Sequence, residues 1–389
     1  MLDQSDMASF QDGWPALLEC ASPLCDTLRL AELLRGLDWH RLFARAEQHG
    51  VLGQLALRLE EVAESALPAE VKQGLLERHR AQVFSTLKLT AALFHVLKLF
   101  AAKDIPGLVV KGPVLAIHAY GDPAMRSYGD LDLLVRQSDI RRATESLRAA
   151  GYMASIPLSA IDGDRIPGQY LFSKPGDHLI VELHNDFTLR YFPRRLPLEE
   201  LFDRRVLVRL DAYEVPALAV EDELVYVCVH GATHLWDRLS WIADIAALVT
   251  RQTDIDWHRV RQTATKVGAE RMLHAGLCLA SDLLHARLPN PVLAAMQRDA
   301  GAAKLAACAR TWLAAAGGAS PTLLDRTAFR LRMRGDALRA PAYLLRLSLS
   351  PTEEDWKQGH PGSRHSFFDA LRRPFRLARK YGHKRNSRT

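Results

Sequence analysis

Two aspartates separated by one apolar residue stand in an otherwise apolar segment of the chain. Asp130 and Asp132 alternate with leucines up to Val135, as in a β-strand whose every second side chain points to the same face. Two carboxylates on one face repel each other unless a cation binds between them. Mg²⁺ suits this position because it takes carboxylate oxygens and keeps coordination positions open for phosphate. The pair therefore indicates metal-dependent phosphate chemistry, and the structural alternative is that Asp130 caps or ion-pairs locally.

A third carboxylate on a neighbouring strand would complete such a site. Glu182 is the best candidate, because the apolar run Leu179–Leu183 around it predicts a further strand. His184 follows two residues later on the same face of that strand. We expect it to orient the carboxylate or to contact an acceptor.

Residues suited to phosphate binding precede the aspartates. Lys111 and Gly112 end the apolar run Leu108–Val110 just before a short predicted helix. An ammonium, backbone amides and a helix N-terminus would there face a triphosphate. Arg126 lies four residues before Asp130 and offers a bidentate phosphate contact. Its structural alternative is an ion pair with Asp130.

The pattern around these residues predicts an α+β protein. Continuous apolar runs predict strands over 108–110, 131–135 and 179–184, and residues 114–120 and 141–150 have the spacing of helices. Helical spacing also covers the chain on both sides of this segment. We therefore expect a small mixed β-sheet with flanking helices between an N-terminal and a C-terminal helical region. The expected divisions are residues 1–102 (helical), 103–218 (catalytic domain), 219–350 (helical) and 351–389 (basic helix and tail).

A histidine pair at helical spacing lies in the C-terminal helical region. His230 and His234 are four residues apart and would share one helix face. Such a pair can bind zinc, but no HExxH glutamate and no obvious third ligand accompany it. We expect the two histidines to line the acceptor side of a cleft or to pack in a helix contact. Asp244 is expected to be a charged cleft residue or a partner of either histidine.

The composition is that of an ordinary globular protein, with 48% apolar residues, 25% charged residues and a net charge of +6. Much of the positive charge lies beyond residue 363, where a docked helix is favoured over an RNA-binding or membrane-binding segment. The five cysteines form no CxxC pair, and the N-terminus lacks the pattern of a signal peptide. No apolar segment is expected to reach the roughly 18 residues of a membrane span, and we expect a cytoplasmic protein.

Several motifs, in this order, resemble those of the uncharacterised nucleotidyltransferase family of the polymerase-β superfold. They are Val110-Lys111-Gly112, Tyr120-Gly121-Asp122-Pro123, Arg126, Asp130-Leu131-Asp132-Leu133-Leu134-Val135, Val181-Glu182-Leu183-His184, and the segment from Asp222 through His230-Gly231, His234 and Trp236 to Asp244-Ile245-Ala246. The resemblance covers most of the chain. Many members of the broader superfold have Gly-Ser where this chain has Lys111-Gly112.

The resemblance implies a nucleotidyltransferase fold and the metal-dependent transfer of a nucleoside monophosphate from an NTP, ATP by default, to an acceptor. It implies that Asp130, Asp132 and Glu182 are the catalytic carboxylates and bind two Mg²⁺ ions, with Mn²⁺ as a substitute, and that Lys111, Gly112 and Arg126 bind the nucleotide. The acceptor remains open between a small molecule, a peptide or protein, and RNA. The alternative function is a catalytically silent nucleotide-binding or regulatory module of antitoxin type, against which the intact carboxylates argue.

Overall fold

The structure, a computed structural model, describes residues 13–62, 67–158, 161, 168–176, 179–187, 196–315 and 321–334. The first helices are α1 (Trp14–Ala21), α2 (Thr27–Leu33), α3 (Trp39–His49), α4 (Leu52–Val62) and α5 (Ala69–Ala101). The middle of the chain holds β1 (Gly107–Val109), α6 (Pro113–Tyr120), β2 (Asp130–Val135), α7 (Ile140–Ala149), β3 (Met153–Ala154), β4 (Gln169–Lys174), β5 (Leu179–His184), α8 (Leu198–Asp203), β6 (Val206–Leu210) and β7 (Tyr213–Ala217). The later helices are α9 (Val220–Thr233), α10 (Leu239–Arg251), α11 (Trp257–Val267), α12 (Glu270–Leu284), α13 (Asn290–Arg298), α14 (Ala300–Ala314) and α15 (Leu323–Arg332).

The architecture confirms the predicted α+β class, with one mixed sheet between helical segments. The sheet has the strand order β3-β4-β5-β2-β1-β7-β6. Strands β2 and β5, which carry the acidic residues, are central neighbours and run parallel. Strand β1 pairs antiparallel with β2 on the other side. The acidic residues are therefore held by the part of the sheet that is most completely paired.

The sheet is larger than the sequence predicted, with four described strands beyond the three expected ones. Strands β6 and β7 form a hairpin that turns at Asp211, whose backbone is left-handed with φ 54°. Buried and exposed residues alternate along this hairpin, and Pro216 lies within β7. A proline lowers the strand signal because it donates no ladder hydrogen bond. Short, half-exposed strands of this kind give a weak apolar pattern and were missed for that reason.

Helices from the two ends of the described chain pack around one hydrophobic core. That core joins Leu17 and Leu55 near the beginning to Leu277 and Leu305 near the end. Two long-range hydrogen bonds accompany this packing. The Ser22 Oγ donates to the Leu284 carbonyl at 2.9 Å, and Arg45 Nη2 donates to the Ala314 carbonyl at 2.9 Å. The two helical regions expected at the ends of the chain thus form one helical body, whereas the predicted basic helix and tail at 351–389 lie outside the described residues.

Helix α5 links this helical body to the sheet. It begins directly after Pro68 and ends before Ile105-Pro106-Gly107. Its C-terminal half packs on a second core, formed with the sheet, through Leu93, Val96 and Phe100. An 18-residue stretch of α5 has a mean hydropathy of 1.5, with 28% of it buried, so that by length and composition α5 could cross a membrane. The expectation that no apolar segment reaches the length of a membrane span is therefore wrong, although core helices of soluble proteins can be equally long and apolar.

A buried histidine at the junction of helices α3 and α10 predicts a pH dependence of stability. His49 is 4% exposed, and its Nδ1 accepts a hydrogen bond from the Leu239 backbone N–H at 3.3 Å. Burial, assisted by the charges of Arg45 and Arg238, lowers the pKa of His49 from 6.5 to about 4. Below pH 6.5, His49 therefore binds a proton in the unfolded chain but stays neutral in the folded chain until the pH approaches 4. This contribution to stability is complete above pH 6.5 and is lost between pH 6.5 and about 4.

We expect the loss to amount to about 3 kcal/mol of the free energy of unfolding. Urea unfolding at pH 7 and pH 4.5 measures it when the wild type is compared with His49→Gln, whose amide oxygen also accepts the Leu239 hydrogen bond. The variant should lose clearly less stability on acidification than the wild type. Equal losses in the two proteins would contradict this assignment.

Candidate active site

The pairing of β2 with β5 brings the predicted carboxylates together. In the parallel register Asp132 lies directly opposite Glu182, and Asp130 lies opposite Ile180. Since side chains two residues apart share a face, Asp130, Asp132, Glu182 and His184 all point to the same side of the sheet. Each residue owes its position to the apolar residues between them, which are buried in the sheet core.

Asp132 is the centre of a compact group of charged side chains. The Lys111 Nζ lies 3.0 Å from its Oδ2, and the His184 Nε2 lies 3.0 Å from its Oδ1. The same His184 nitrogen lies 3.6 Å from the Glu182 Oε2, to which Gln169 Nε2 donates a hydrogen bond of 2.5 Å. We call Asp132, Glu182 and His184 the acid–histidine cluster. Their ligand atoms all lie within 4.8 Å of one another.

The buried charges of this group stabilise one another. Burial opposes ionisation of Asp132, but Lys111 and the hydrogen bond from His184 hold the pKa of this carboxyl well below its usual range. Burial likewise opposes a charge on His184, but its hydrogen bonds with Asp132 and Glu182 raise the pKa of His184 to about 9. Asp132 is therefore an ionised carboxylate whose charge is offset by an ammonium on one side and an imidazolium on the other.

Asp130 lies at the open end of the strand and outside the acid–histidine cluster. It is partly exposed, whereas Asp132 is 2% exposed. Burial and then the charge of Asp132 raise the pKa of Asp130. Both aspartates line the same cleft, so that a cation bound there could be shared between them.

Of the two residues expected to bind phosphate at this position, Lys111 lines the cleft and Gly112 does not. Lys111 is 7% exposed and ion-pairs with Asp132. Gly112 has φ 64° and ψ −131°, a conformation that side-chain-bearing residues rarely adopt, and it does not line the cleft. Gly112 has a conformational function, because it turns the chain from β1 into α6 directly after Lys111.

Arg126 and Asp244 form a buried ion pair beside the cleft. The Arg126 Nε donates to the Asp244 Oδ2 at 2.9 Å, and the Tyr120 hydroxyl donates to the Asp244 Oδ1 at 3.0 Å. Asp244 is 1% exposed and, unlike Arg126, does not line the cleft. The expectations that Asp244 lies on the acceptor side or pairs with a histidine are corrected by this contact. The alternative pairing of Arg126 with Asp130 is replaced by the pairing with Asp244.

The cleft above the carboxylates has a volume of about 550 Å³. Its wall includes His230 and His234 of helix α9 and its C-terminal turn, and Trp241 of helix α10. The two imidazole rings lie 4.6 Å apart between centroids, and the Trp241 ring lies 5.1 Å from His230 and 5.3 Å from His234. Burial, with the charge of Lys111 as the next cause, lowers the pKa of both histidines. They are therefore neutral near pH 7 and can accept protons.

The cleft also contains residues that were not predicted as site residues, among them Gln169, Tyr226 and Trp241. Gln169 comes from the missed strand β4 and holds Glu182, while Tyr226 and Trp241 contribute aromatic surface. Tyr226 lies four residues before His230 on α9, so that helical spacing from the histidine pair could have found it. Gln169 had no such signal, because nothing in its own segment marks it as facing Glu182.

The turn after α9 depends on Gly231. Leu235 and Trp236 both have left-handed backbones, with φ 63° and 56°, and the Trp236 N–H donates to the Gly231 carbonyl at 2.8 Å. The chain thereby folds the fully buried Trp236 ring against Gly231. A Cβ at position 231 would lie 2.2 Å from that ring. The glycine after His230 is therefore a packing requirement of the wall that carries the histidines.

We expect Gly231→Ala to lower the free energy of unfolding by about 3 kcal/mol, because neither the helix backbone nor the buried ring can move away easily. Chemical denaturation measures this change. Gly129→Ala is the matched control, since a Cβ there would meet nothing within 4 Å, and it should cost less than about 1 kcal/mol. A Gly231→Ala variant as stable as this control would contradict the packing argument.

The oxygen donors of Asp130, Asp132 and Glu182 could hold a divalent cation. Two of them face each other across neighbouring strands, and the third opens on the same cleft. Carboxylates grouped in this way are the usual protein ligands of ions that bind phosphates. The arrangement therefore combines carboxylates able to hold a cation, a cleft large enough for a small substrate, and neutral imidazoles on the cleft wall.

Comparison with known proteins gives one family match. A family model described as "Uncharacterised nucleotidyltransferase" matches residues 35–285, which include the candidate site residues. No curated protein matches the chain. Among solved structures, an antigenic nucleotidyltransferase-like protein from Paracoccidioides brasiliensis is similar over 53% of this chain and 93% of its own, with 15% identity and a TM-score of 0.30. That likeness is too distant to carry an argument about function.

Proposed function

The chain belongs to the uncharacterised nucleotidyltransferase family, and from that premise we propose that it transfers a nucleoside monophosphate from an NTP to an acceptor. In this reaction a nucleophilic group of the acceptor forms a bond to the α-phosphorus. The bond from the α-phosphorus to the bridging oxygen breaks, pyrophosphate leaves with the bonding electron pair, and the acceptor loses a proton to a base.

The observation that carries the proposal is the position of Asp132 directly opposite Glu182 on neighbouring parallel strands, with Asp130 two residues away at the cleft. We assign divalent cation binding to these three carboxylates, with two Mg²⁺ ions as the expectation. Such ions, when bound, supply positive charge to the phosphates and to the leaving pyrophosphate. The carboxylates hold that charge in place because the sheet core fixes the strands that carry them.

Arg126 is the proposed phosphate ligand with the strongest support. Asp244 engages the guanidinium through Nε, and among the described residues no other hydrogen bond of Arg126 is seen. Its two Nη groups therefore remain for a phosphate, which they can bind in bidentate geometry. Lys111, 3.0 Å from Asp132, is proposed to act as a second positive charge beside the nucleotide.

The acceptor is proposed to bind at the side of the cleft formed by His230, His234 and Trp241. Neutral imidazoles can take the proton that the attacking group of the acceptor must lose. His234 is the more exposed of the two histidines and is the better candidate for this step. Trp241 offers a flat apolar surface on which a ring of the acceptor could pack.

Incubation of the full chain with each labelled NTP, Mg²⁺ and sets of acceptors tests the proposal. We expect pyrophosphate release that depends on both the metal and an acceptor, with label on the acceptor. Binding of the NTP without pyrophosphate release under every condition would favour the regulatory module. The absence of any nucleotide binding at millimolar concentration would defeat both functions.

A further inference from the structure

The nitrogen of His184 that faces the cleft is placed as a third ligand atom beside two carboxylates. The His184 Nε2 lies 3.0 Å from the Asp132 Oδ1 and 3.6 Å from the Glu182 Oε2. Strand geometry produces this arrangement, because Asp132 is in register with Glu182 and His184 follows Glu182 by two residues. Asp132 is 2% exposed, His184 is 7% exposed and Glu182 is half-buried. Little water therefore competes with these side chains for a bound ion.

The separations among these atoms are those of ligands around a single ion. Nitrogen and oxygen ligands bind first-row divalent ions at about 2.1 Å, which places ligands at right angles about 3.0 Å apart and tetrahedral ligands about 3.4 Å apart. The observed 3.0 and 3.6 Å agree with these values, and a bound ion would take the place of the proton that Nε2 shares with Asp132 in the metal-free protein. Lys111 contacts the other oxygen of Asp132, Oδ2, and therefore does not occupy the position between the three atoms.

The donor types distinguish among divalent ions. Mg²⁺ is a hard ion that depends on charged oxygen ligands, whereas imidazole nitrogen suits the transition metals. The nearby Lys111 ammonium also weakens the electrostatic attraction on which Mg²⁺ depends most. Both effects lower the affinity of Asp132 and Glu182 for Mg²⁺ relative to their affinity for a transition-metal ion.

We propose that His184 supplies a nitrogen ligand to the metal ion held by Asp132 and Glu182, and that this position prefers a first-row transition ion such as Mn²⁺ to Mg²⁺. The proposal concerns the site of the proposed function and rests on metal binding there. Asp130 lies outside the acid–histidine cluster, which leaves it to an ion that accompanies the nucleotide.

The experiment measures metal binding by the full chain without nucleotide. Calorimetric titrations with MnCl₂ and MgCl₂ give the ratio of the two affinities, and pulsed electron paramagnetic resonance of bound Mn²⁺ detects a directly coordinated ¹⁴N nucleus. We expect the wild type to bind Mn²⁺ about 100-fold more tightly than Mg²⁺ and to show ¹⁴N coupling. His184→Gln, which places an oxygen donor at a similar reach, should lose the coupling and reduce the ratio about tenfold or more.

His274→Gln is the matched control, because His274 also contacts an aspartate, Asp299, but lies outside the cleft. It should leave both readouts unchanged. Absence of ¹⁴N coupling in the wild type overturns the proposal even if His184→Gln fails to fold, and so does coupling that persists in His184→Gln. Neither readout involves nucleotide. If the chain binds Mn²⁺ through His184 but transfers no nucleotide, this proposal holds and the proposed function is wrong. If it transfers nucleotide but shows no ¹⁴N coupling, the proposed function holds and this proposal is wrong.

Discussion

Asp132→Asn is expected to lower the rate of nucleotide transfer by at least about 10³-fold. The substitution keeps the size of the side chain but removes the carboxylate charge that Lys111 and His184 contact and that faces Glu182. A cation bound beside Glu182 would lose one of the three carboxylate charges around it. The rate of pyrophosphate release at saturating NTP, once an acceptor is known, is the measurement.

A loss of folding must be separated from a loss of chemistry in this variant, because buried Lys111 loses its ion-pair partner and buried His184 keeps only Glu182. Asp139→Asn is the control, since Asp139 follows the same strand, is 8% exposed and ion-pairs with Arg142 outside the cleft. We expect both variants to unfold cooperatively and only Asp132→Asn to lose transfer. Transfer by a folded Asp132→Asn at the wild-type rate would remove Asp132 from the catalytic assignment.

Asp244→Ala is expected to lower the free energy of unfolding by about 3 to 5 kcal/mol, which is large for one side chain. The reason is that Arg126, 6% exposed, would keep a buried positive charge without its carboxylate, and the Tyr120 hydroxyl would lose its acceptor. Chemical denaturation measures the change. The same variant should bind nucleotide more weakly, because the guanidinium loses the contact that orients it.

The double variant Arg126→Met with Asp244→Leu separates these two effects. Replacing both charges with apolar side chains of similar volume removes the buried unpaired charge, so that most of the lost stability should return. Nucleotide affinity should stay low, because no guanidinium remains in the cleft. Recovery of both stability and affinity would show that Arg126 does not bind phosphate. A double variant no more stable than Asp244→Ala would contradict the ion-pair argument.

Those features of the site that depend on local alternation were accessible from the sequence. The spacing of Asp130 and Asp132, and of Glu182 and His184, places each pair on one strand face. The structure then puts β2 next to β5 and in register, which the sequence could not specify on its own. The α+β class and the position of α6 followed from apolar spacing for similar local reasons.

Features that depend on distant partners were not accessible. Asp244 was expected in the cleft because it is charged, but its partner Arg126 is 118 positions away in the chain. Gln169 is closer in the chain to its partner Glu182, but it was missed because the polar ends of β4 gave no clear pattern. The sequence shows which side chains could take part in catalysis or binding. Packing decides whether such a side chain contacts a substrate or another residue of the protein.

The common core of the first and last helices has a consequence for synthesis on the ribosome. Leu17 and Leu55 are covered by residues as late as Leu277 and Leu305, so the first helices cannot bury their apolar faces until most of the chain has emerged. At about 5 to 20 residues per second, that wait lasts about 10 to 50 s. The sheet, which is contiguous between residues 107 and 217, can form earlier. We expect nascent chains that have emerged to about residue 220 to present a folded sheet attached to helices that still require protection from aggregation.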